Sequence, residues 1–259
     1  MAFQTTAAEY THLEVRKLRL VDLFDVLDKG IDDFRAKPTH LFFLAVIYPA
    51  ATLFAALVVT DGDLMPLIFP MLSGLVLIGP FVGLAMEEMS RHRERGLDMS
   101  WTTAFNFFTS PSFKDIALLG LLTIALFLLW VAAADTIYVM TLGDSWQVSV
   151  EDFTRSILTT RSGWALVVVG NFVGLLFAIT SLCIGVISFP LLLDRQVGVA
   201  VAVETSVRAV IANPLIMAVW GIIVGASLII GALPLLVGLA VVIPVLGHAT
   251  WHLYRKVVV

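Results

Sequence analysis

Cysteine and charge are both scarce in this sequence. Cys183 is the one cysteine among 259 residues, which excludes an internal disulfide framework. Asp, Glu, Lys and Arg make up 14% of the chain, against about 25% in soluble domains. The formal net charge of −4 includes no basic surplus, so we expect no nucleic-acid partner. An ordinary soluble domain is therefore excluded.

The sequence contains several long apolar segments. Hydrophobic residues make up 59% of the chain, and the mean hydropathy is +0.96. A helix needs about 20 apolar residues to cross a bilayer. Five runs reach or exceed that length: 41–60, 64–86, 116–140, 164–193 and 215–250. The last is long enough for two helices, and the turn-forming residues Gly231 and Pro234 lie near its middle. The sequence predicts an all-α polytopic membrane protein with six transmembrane helices.

The basic residues predict the orientation of these spans. With six spans, the two termini and the segments 87–115 and 194–214 share one side of the membrane. That side would carry fourteen of the sixteen Lys and Arg residues, and only Arg155 and Arg161 would lie opposite. Because basic residues concentrate on the cytoplasmic side, both termini are predicted to be cytoplasmic.

Three short segments that end in proline precede the odd-numbered spans. They are GIDDFRAKP (Pro38), TAFNFFTSP (Pro111) and SVRAVIANP (Pro214). Positions four and seven before each proline share a helical face. These positions are Phe34 and Ile31, Phe107 and Ala104, and Val210 and Val207. We expect three amphipathic helices in the headgroup plane with this face toward lipid, and with Asp33 and Glu204 off it.

The even-numbered spans carry counterpart prolines at Pro80, Pro190 and Pro244. After Pro80 and Pro244 the correspondence continues with three residue pairs: Gly83 and Gly247, Ala85 and Ala249, Arg91 and Arg255. The pattern predicts three repeats of an interfacial helix plus a transmembrane hairpin, at about 20–86, 99–193 and 199–256. These would form a single membrane domain, 20–259, after a cytoplasmic tail, 1–19. The alternative is that prolines simply flank membrane helices.

Two stretches carry a resemblance to a known family. The sequences SFPLLLDRQVGVAVAVETSVRAVIANP (188–214) and PVLGHATWHLYRKVV (244–258) resemble the bacterial integral-membrane family called domain of unknown function 2189. The resemblance extends over almost all of the chain from about residue 15. It implies a six-span protein of the bacterial inner membrane, and it implies no particular reaction.

Polar side chains inside the spans are candidates for function because the membrane makes them costly. Asp135 lies near the outer end of the third span, where it could serve a proton or cation path or reach external headgroups. Asn171, inside the fourth span, is of the type that joins helices by hydrogen bonds. Gly79 with Gly83, and Gly221 with Gly225, have the spacing of small residues at helix contacts.

Two charged or titratable groups lie near the predicted cytoplasmic side. His248 and His252 are one helical turn apart and could share a metal or haem, with His40 or His92 as a third ligand. The alternative is that they anchor the helix end at the interface together with Trp251 and Tyr254. The second group is the arginine cluster Arg91, Arg93 and Arg95, which could bind lipid phosphates or a partner's carboxylates, or form a solvated flank.

The sequence leaves three functions open. No Walker loop, dinucleotide fingerprint or GxSxG elbow is present, so we expect no catalytic activity and no cofactor. The preferred hypothesis is a scaffold or accessory subunit whose partners are the bilayer and a larger membrane complex. The alternatives are a carrier or channel for a small solute or lipid, and a haem or metal protein that uses His248 and His252.

Overall fold

Helices dominate the computed structural model, which describes residues 13–48, 50, 70, 79–143 and 150–259. In chain order they are α1 (Leu20–Ala36), α2 (Gly79–Glu94), α3 (Trp101–Ala104), a 3₁₀ helix (Asn106–Thr109), α4 (Phe113–Leu142), α5 (Val150–Thr159), α6 (Arg161–Gly185), α7 (Ser188–Asp194), α8 (Val199–Ala212), α9 (Pro214–Ala232) and α10 (Leu239–Val257). Residues 40–48 are also helical. The all-helical prediction is confirmed for this part of the chain.

Three of the described helices are long and apolar enough to cross a membrane. They are α4, α6 continued by α7 (Arg161–Asp194), and α9. They coincide with the predicted spans 116–140 and 164–193 and with the first half of 215–250. The turn predicted near Gly231 and Pro234 separates α9 from α10. Helix α10, at the place of the predicted sixth span, is not among the three. Most of the predicted spans 41–60 and 64–86 lies outside the described residues, so the count of six remains a prediction.

The described helices fall into two compact units. The first unit contains α1, α2, α3, the 3₁₀ helix, the start of α4 and α7–α10, and its largest fully buried side chains include Trp220, Trp251, Tyr254 and Phe189. The second contains most of α4 and α6, together with α5. Within it, Trp130 of α4 packs against Phe177 and Gly174 of α6. The predicted division into a tail and one membrane domain stays a prediction.

The two ends of the described chain meet in the first unit. Val15 and Val258 form an antiparallel bridge, and the Arg16 amide donates to the Val257 carbonyl at 2.8 Å. Asn213, directly before α9, accepts from the Leu18 amide at 2.6 Å and donates to the Arg16 carbonyl at 3.0 Å. The segment before α1 is thereby fixed to the ends of α8 and α10.

Helix α1 has three distinct faces. The face toward the protein buries four residues at helical spacing: Leu23, Val26, Gly30 and Asp33. A second, apolar face combines two exposed residues, Leu20 and Phe24, with three half-buried ones, Leu27, Ile31 and Phe34. Asp25, Asp28, Asp32 and Lys29 occupy the remaining side. A helix with this division can lie between protein, lipid and water.

The three proline-ended segments are helical up to two residues before the proline, as predicted. Asp33 lies off the face that contains Ile31 and Phe34, as predicted, and at 3% exposed it belongs to the protein interior. The predicted face of the second segment is wrong, because Ala104 and Phe107 are buried, while Phe105 and Phe108 are exposed. The second segment is split between one α-turn and a 3₁₀ helix, and three residues per turn shift the side chains away from the α-helical register.

Candidate functional site

A junction of three helices, α1, α2 and α10, buries several charged or titratable side chains of the first unit, including Asp33, Glu88 and His248. Gly30 of α1 lies so close to α10 that a Cβ built on it would be 2.8 Å from Ala249 Cβ and 2.9 Å from the Val245 carbonyl oxygen. On α10, a Cβ on Gly247 would be 2.8 Å from Met86 Cβ of α2 and 3.3 Å from Gly83 Cα. Glycine is therefore required at both crossings, since a side chain there would separate the helices.

The repeat hypothesis paired Gly83 with Gly247, and these two glycines lie in contact. They stand three residues after Pro80 and Pro244, at equivalent positions in the first and third proposed repeats. Contact between equivalent positions is expected when two copies pack around an approximate twofold axis. The threefold repeat itself remains a prediction.

Asp33 forms the centre of the junction. Its Oδ2 atom accepts hydrogen bonds from Ser90 Oγ of α2 at 2.5 Å and from His252 Nε2 of α10 at 2.8 Å. Its Oδ1 atom accepts from Arg93 of α2. One carboxylate of α1 thus binds donors from both neighbouring helices, and the hydrogen bonds to this ionised group are of the stronger, charge-assisted kind.

Ser90 extends this network to His248. The Ser90 Oγ atom lies 2.8 Å from His248 Nδ1. Because Ser90 has one hydroxyl proton and a carboxylate only accepts, donation to Asp33 leaves the Ser90 oxygen as the acceptor of a proton on His248 Nδ1. The order carboxylate, serine, imidazole differs from that of a nucleophilic triad, in which the imidazole lies between the other two. Ser90 is also buried.

The pKa of the Asp33 carboxyl is lowered to about 2. Burial alone would raise this pKa, but the hydrogen bonds from His252, Ser90 and Arg93 and the charge of His252 outweigh it. Asp33 is therefore ionised at neutral pH, and its interactions stabilise the folded junction there.

A second set of hydrogen bonds and ion pairs also involves α2 and α10. Glu94 of α2 accepts from Trp251 Nε1 at 2.8 Å and from Arg255 Nε at 2.9 Å. Asp194, at the end of α7, accepts from the Tyr254 hydroxyl at 2.8 Å and from Arg95 at 3.1 Å. The C-terminal half of α10 is thus fixed by acids on two other helices.

The histidine pair predicted from sequence belongs to this junction. His248 is 0% exposed, and Trp251 and Tyr254 are also fully buried, so these three do not anchor α10 among lipid headgroups. The described residues contain no cluster of three His, Cys, Asp or Glu side chains arranged to hold a metal ion. His92, a suggested third ligand, instead directs Nδ1 to the Glu88 carbonyl at 3.0 Å.

The three arginines bind groups of this chain. Arg93 pairs with Asp33 and Arg95 with Asp194, while Arg91 pairs with Glu88 at 2.5 Å. Arg91 also donates to the Leu193 carbonyl at 2.8 Å. The cluster therefore connects α2 to α1 and α7.

Asp135 and Asn171 belong to the second unit, whereas the junction belongs to the first. Asn171 is exposed on α6 and donates to the Val167 carbonyl of its own helix at 2.8 Å. Asp135 is half-buried on α4, and its Oδ1 atom has no hydrogen-bond partner among the described residues. The hydrogen bond of Asn171 therefore stays within one helix and does not join two.

Four acceptors and donors of the junction were missed by the sequence argument: Asp33, Ser90, Glu94 and Asp194. A clue for Asp33 was available, because it continues the row Leu23, Val26 and Gly30 along α1. An acid in line with small and apolar residues at helical spacing indicates a buried carboxylate that needs donors.

The long apolar helices and the membrane-type composition define an α-helical integral membrane protein. Residues 68–194 match the model of the family described as "Predicted integral membrane protein (DUF2189)", so this part of the chain is similar to that family. The resemblance inferred from sequence is thereby confirmed, over a shorter range than expected: of the two stretches that carried it, only residues 188–194 fall within the match. No curated protein and no solved structure matches the chain.

The Asp33→Asn variant should lose the part of the protein's stability that depends on an ionised carboxylate at this position. A pKa that folding lowers from 3.8 to about 2 stabilises the protein above pH ~4, and this stabilisation disappears as the pH falls toward 2. We expect Asp33→Asn to lower the free energy of unfolding at pH 7 by about 2 kcal/mol and to flatten its dependence on pH between 4 and 2. Reversible denaturation in mixed micelles, followed by tryptophan fluorescence, measures both.

The matched control is Asp32→Asn, because Asp32 is exposed and its contact with Arg35 is 3.8 Å long. Asp32→Asn should change the free energy of unfolding by no more than about 0.5 kcal/mol, both at pH 7 and between pH 4 and 2. An Asp33→Asn protein with the acid sensitivity of the wild type would show that the junction does not depend on this carboxylate.

Proposed function

We propose that the protein is a non-catalytic accessory or scaffold subunit that binds a larger membrane complex through the outer surface of α9. The observation that carries this proposal is the pattern of exposed residues on that helix. Within the apolar 18-residue stretch of each membrane-spanning helix, 17% of α9 is buried inside the protein, compared with 28% of α4 and 33% of α6 with α7.

The exposed face of α9 has a heptad pattern. Leu215, Ile222 and Ile229 recur every seven residues and are exposed. Small residues lie between them, at Ala218 and Gly225. A seam that alternates large and small residues suits the close approach of another transmembrane helix, whereas lipid chains need no small residues. A Cβ on Gly225 would meet nothing within 4 Å, so this position is open.

The polar side chains favour the same hypothesis. His252, Arg93 and Arg95 all bind carboxylates of this chain, which leaves the apolar span surfaces as the main outward feature. A haem or metal role has less support, because the described residues contain no group of three His, Cys, Asp or Glu side chains that could hold a metal ion. The carrier alternative has no comparable support in the part of the spans that the structure describes.

Site-specific photo-crosslinking tests the α9 surface with two adjacent isoleucines. Ile222 is 68% exposed, whereas Ile223 packs against the core of the first unit. In intact cells, a photoreactive residue at Ile222 should give one adduct with another membrane protein, and one at Ile223 should give none. Gly225→Leu should abolish the Ile222 adduct, since leucine fills the open position, without lowering the amount of folded protein.

Adducts at Ile222 with lipid only would contradict the proposal. So would an adduct between two copies of this chain, which would indicate self-assembly rather than an accessory role. A protein adduct that persists in Gly225→Leu would place the contact elsewhere.

The proposed site of action is the bacterial inner membrane, with both termini in the cytoplasm. The excess of basic residues on one side, fourteen against two, supports this orientation. In a Cys183→Ala background, a cysteine at Glu151, whose side chain is 81% exposed, should react with an impermeant thiol reagent added to whole cells. One at the exposed Asp98 should react only after the membrane is opened. Labelling of both cysteines in whole cells, or of the one at Asp98 alone, would contradict the proposed orientation.

A further inference from the structure

A polar cleft of about 400 Å³ lies in the first unit, beside the arginine cluster. It opens between the end of α2, the segment that precedes α4 and the end of α7. Pro111 and Leu193 are its two apolar lining residues, and all its other lining residues are polar or charged. Such a concentration of polar groups contrasts with a chain that is 59% hydrophobic.

The charges that line the cleft are already paired. Arg91 binds Glu88 at 2.5 Å, and Asp194 binds Arg95 and the Tyr254 hydroxyl. A charged ligand would therefore compete with an ion pair that already exists. The lining groups that can still bind a ligand are neutral hydrogen-bond donors and acceptors.

The lining side chains that can still form hydrogen bonds include both donors and acceptors. His92 directs Nδ1 to the Glu88 carbonyl, which leaves Nε2 to accept in the neutral ring. Thr109 donates its proton to the Asn106 carbonyl, so its oxygen can still accept. The Ser110 oxygen accepts from the Ser112 amide, so its proton can still be donated. The Asn106 and Gln196 amides, which also line the cleft, offer both functions.

Two atoms of the lining residues, Glu88 Oε2 and Arg91 Nε, have no hydrogen-bond partner among the described residues. Both atoms are buried, and Glu88 is 0% exposed, so they lie beneath the surface of the cleft and are not part of its capacity for a ligand.

We infer that this cleft binds a neutral polyhydroxylated group, the size of one sugar or polyol. Each hydroxyl both donates and accepts, as the lining does, whereas a phosphate offers mainly acceptors and an ammonium group only donors. The volume is at the lower end of the range for small-molecule sites. Such a group is found in free polyols and in the glycerol headgroup of a membrane lipid.

Binding to the purified full-length protein distinguishes the two sources. The free probes are myo-inositol and glucose, with inorganic phosphate for comparison, and saturation-transfer NMR in detergent measures their affinities. The lipid probe is phosphatidylglycerol in nanodiscs, compared with phosphatidylethanolamine, which has the phosphate but lacks the glycerol. Saturable binding of a free polyol, or preference for phosphatidylglycerol, is the expected result.

Variants locate the binding. Asn106→Ala and Gln196→Ala should each weaken it about fivefold, as loss of one or two neutral hydrogen bonds does. Thr109→Val should weaken it as well, while Thr102→Val should not, because Thr102 is an exposed threonine of the same region outside the cleft. Absence of saturable binding in both arms, stronger binding of inorganic phosphate, or affinities unchanged by the three cleft variants would overturn the inference.

Discussion

The distance between α1 and α10 at Gly30 is the constraint on which the first unit depends. Only a residue without a side chain lets α1 approach the backbone of Val245 and Ala249 so closely. At that distance Asp33, one turn further along α1, comes within reach of His252 and Ser90. A wider separation would leave a buried carboxylate without donors, which costs several kcal/mol.

The junction also directs polar side chains of the first unit inward. Arg93 and His252 bind Asp33, and Tyr254 binds Asp194, so these side chains meet carboxylates of other helices. The three apolar helices keep most of their surface uncovered. A membrane protein of this kind can act on its surroundings through span surfaces such as the seam of α9, or through the small polar cleft beside α2.

The sequence predicts the elements that hydropathy controls. The spans 116–140 and 164–193 and the turn after Ala232 follow directly from the apolar runs and from glycine and proline. The junction could not be predicted, because Asp33, Ser90 and His248 are far apart in sequence, and hydropathy does not indicate which faces of their helices meet. Phe107 was predicted to face lipid but is buried, because it lies in a 3₁₀ helix, whose residue spacing differs from that of an α-helix.

The effect of one methyl group at Gly30 tests the central claim most directly. Gly30→Ala and Gly225→Ala both gain the helix propensity of alanine, so their difference in unfolding free energy reports packing alone. In reversible denaturation in mixed micelles, we predict that Gly30→Ala is about 1–3 kcal/mol less stable than Gly225→Ala, because its Cβ would meet α10 and that of Gly225 meets nothing within 4 Å. Equal stability of the two variants would contradict the close approach of α1 and α10.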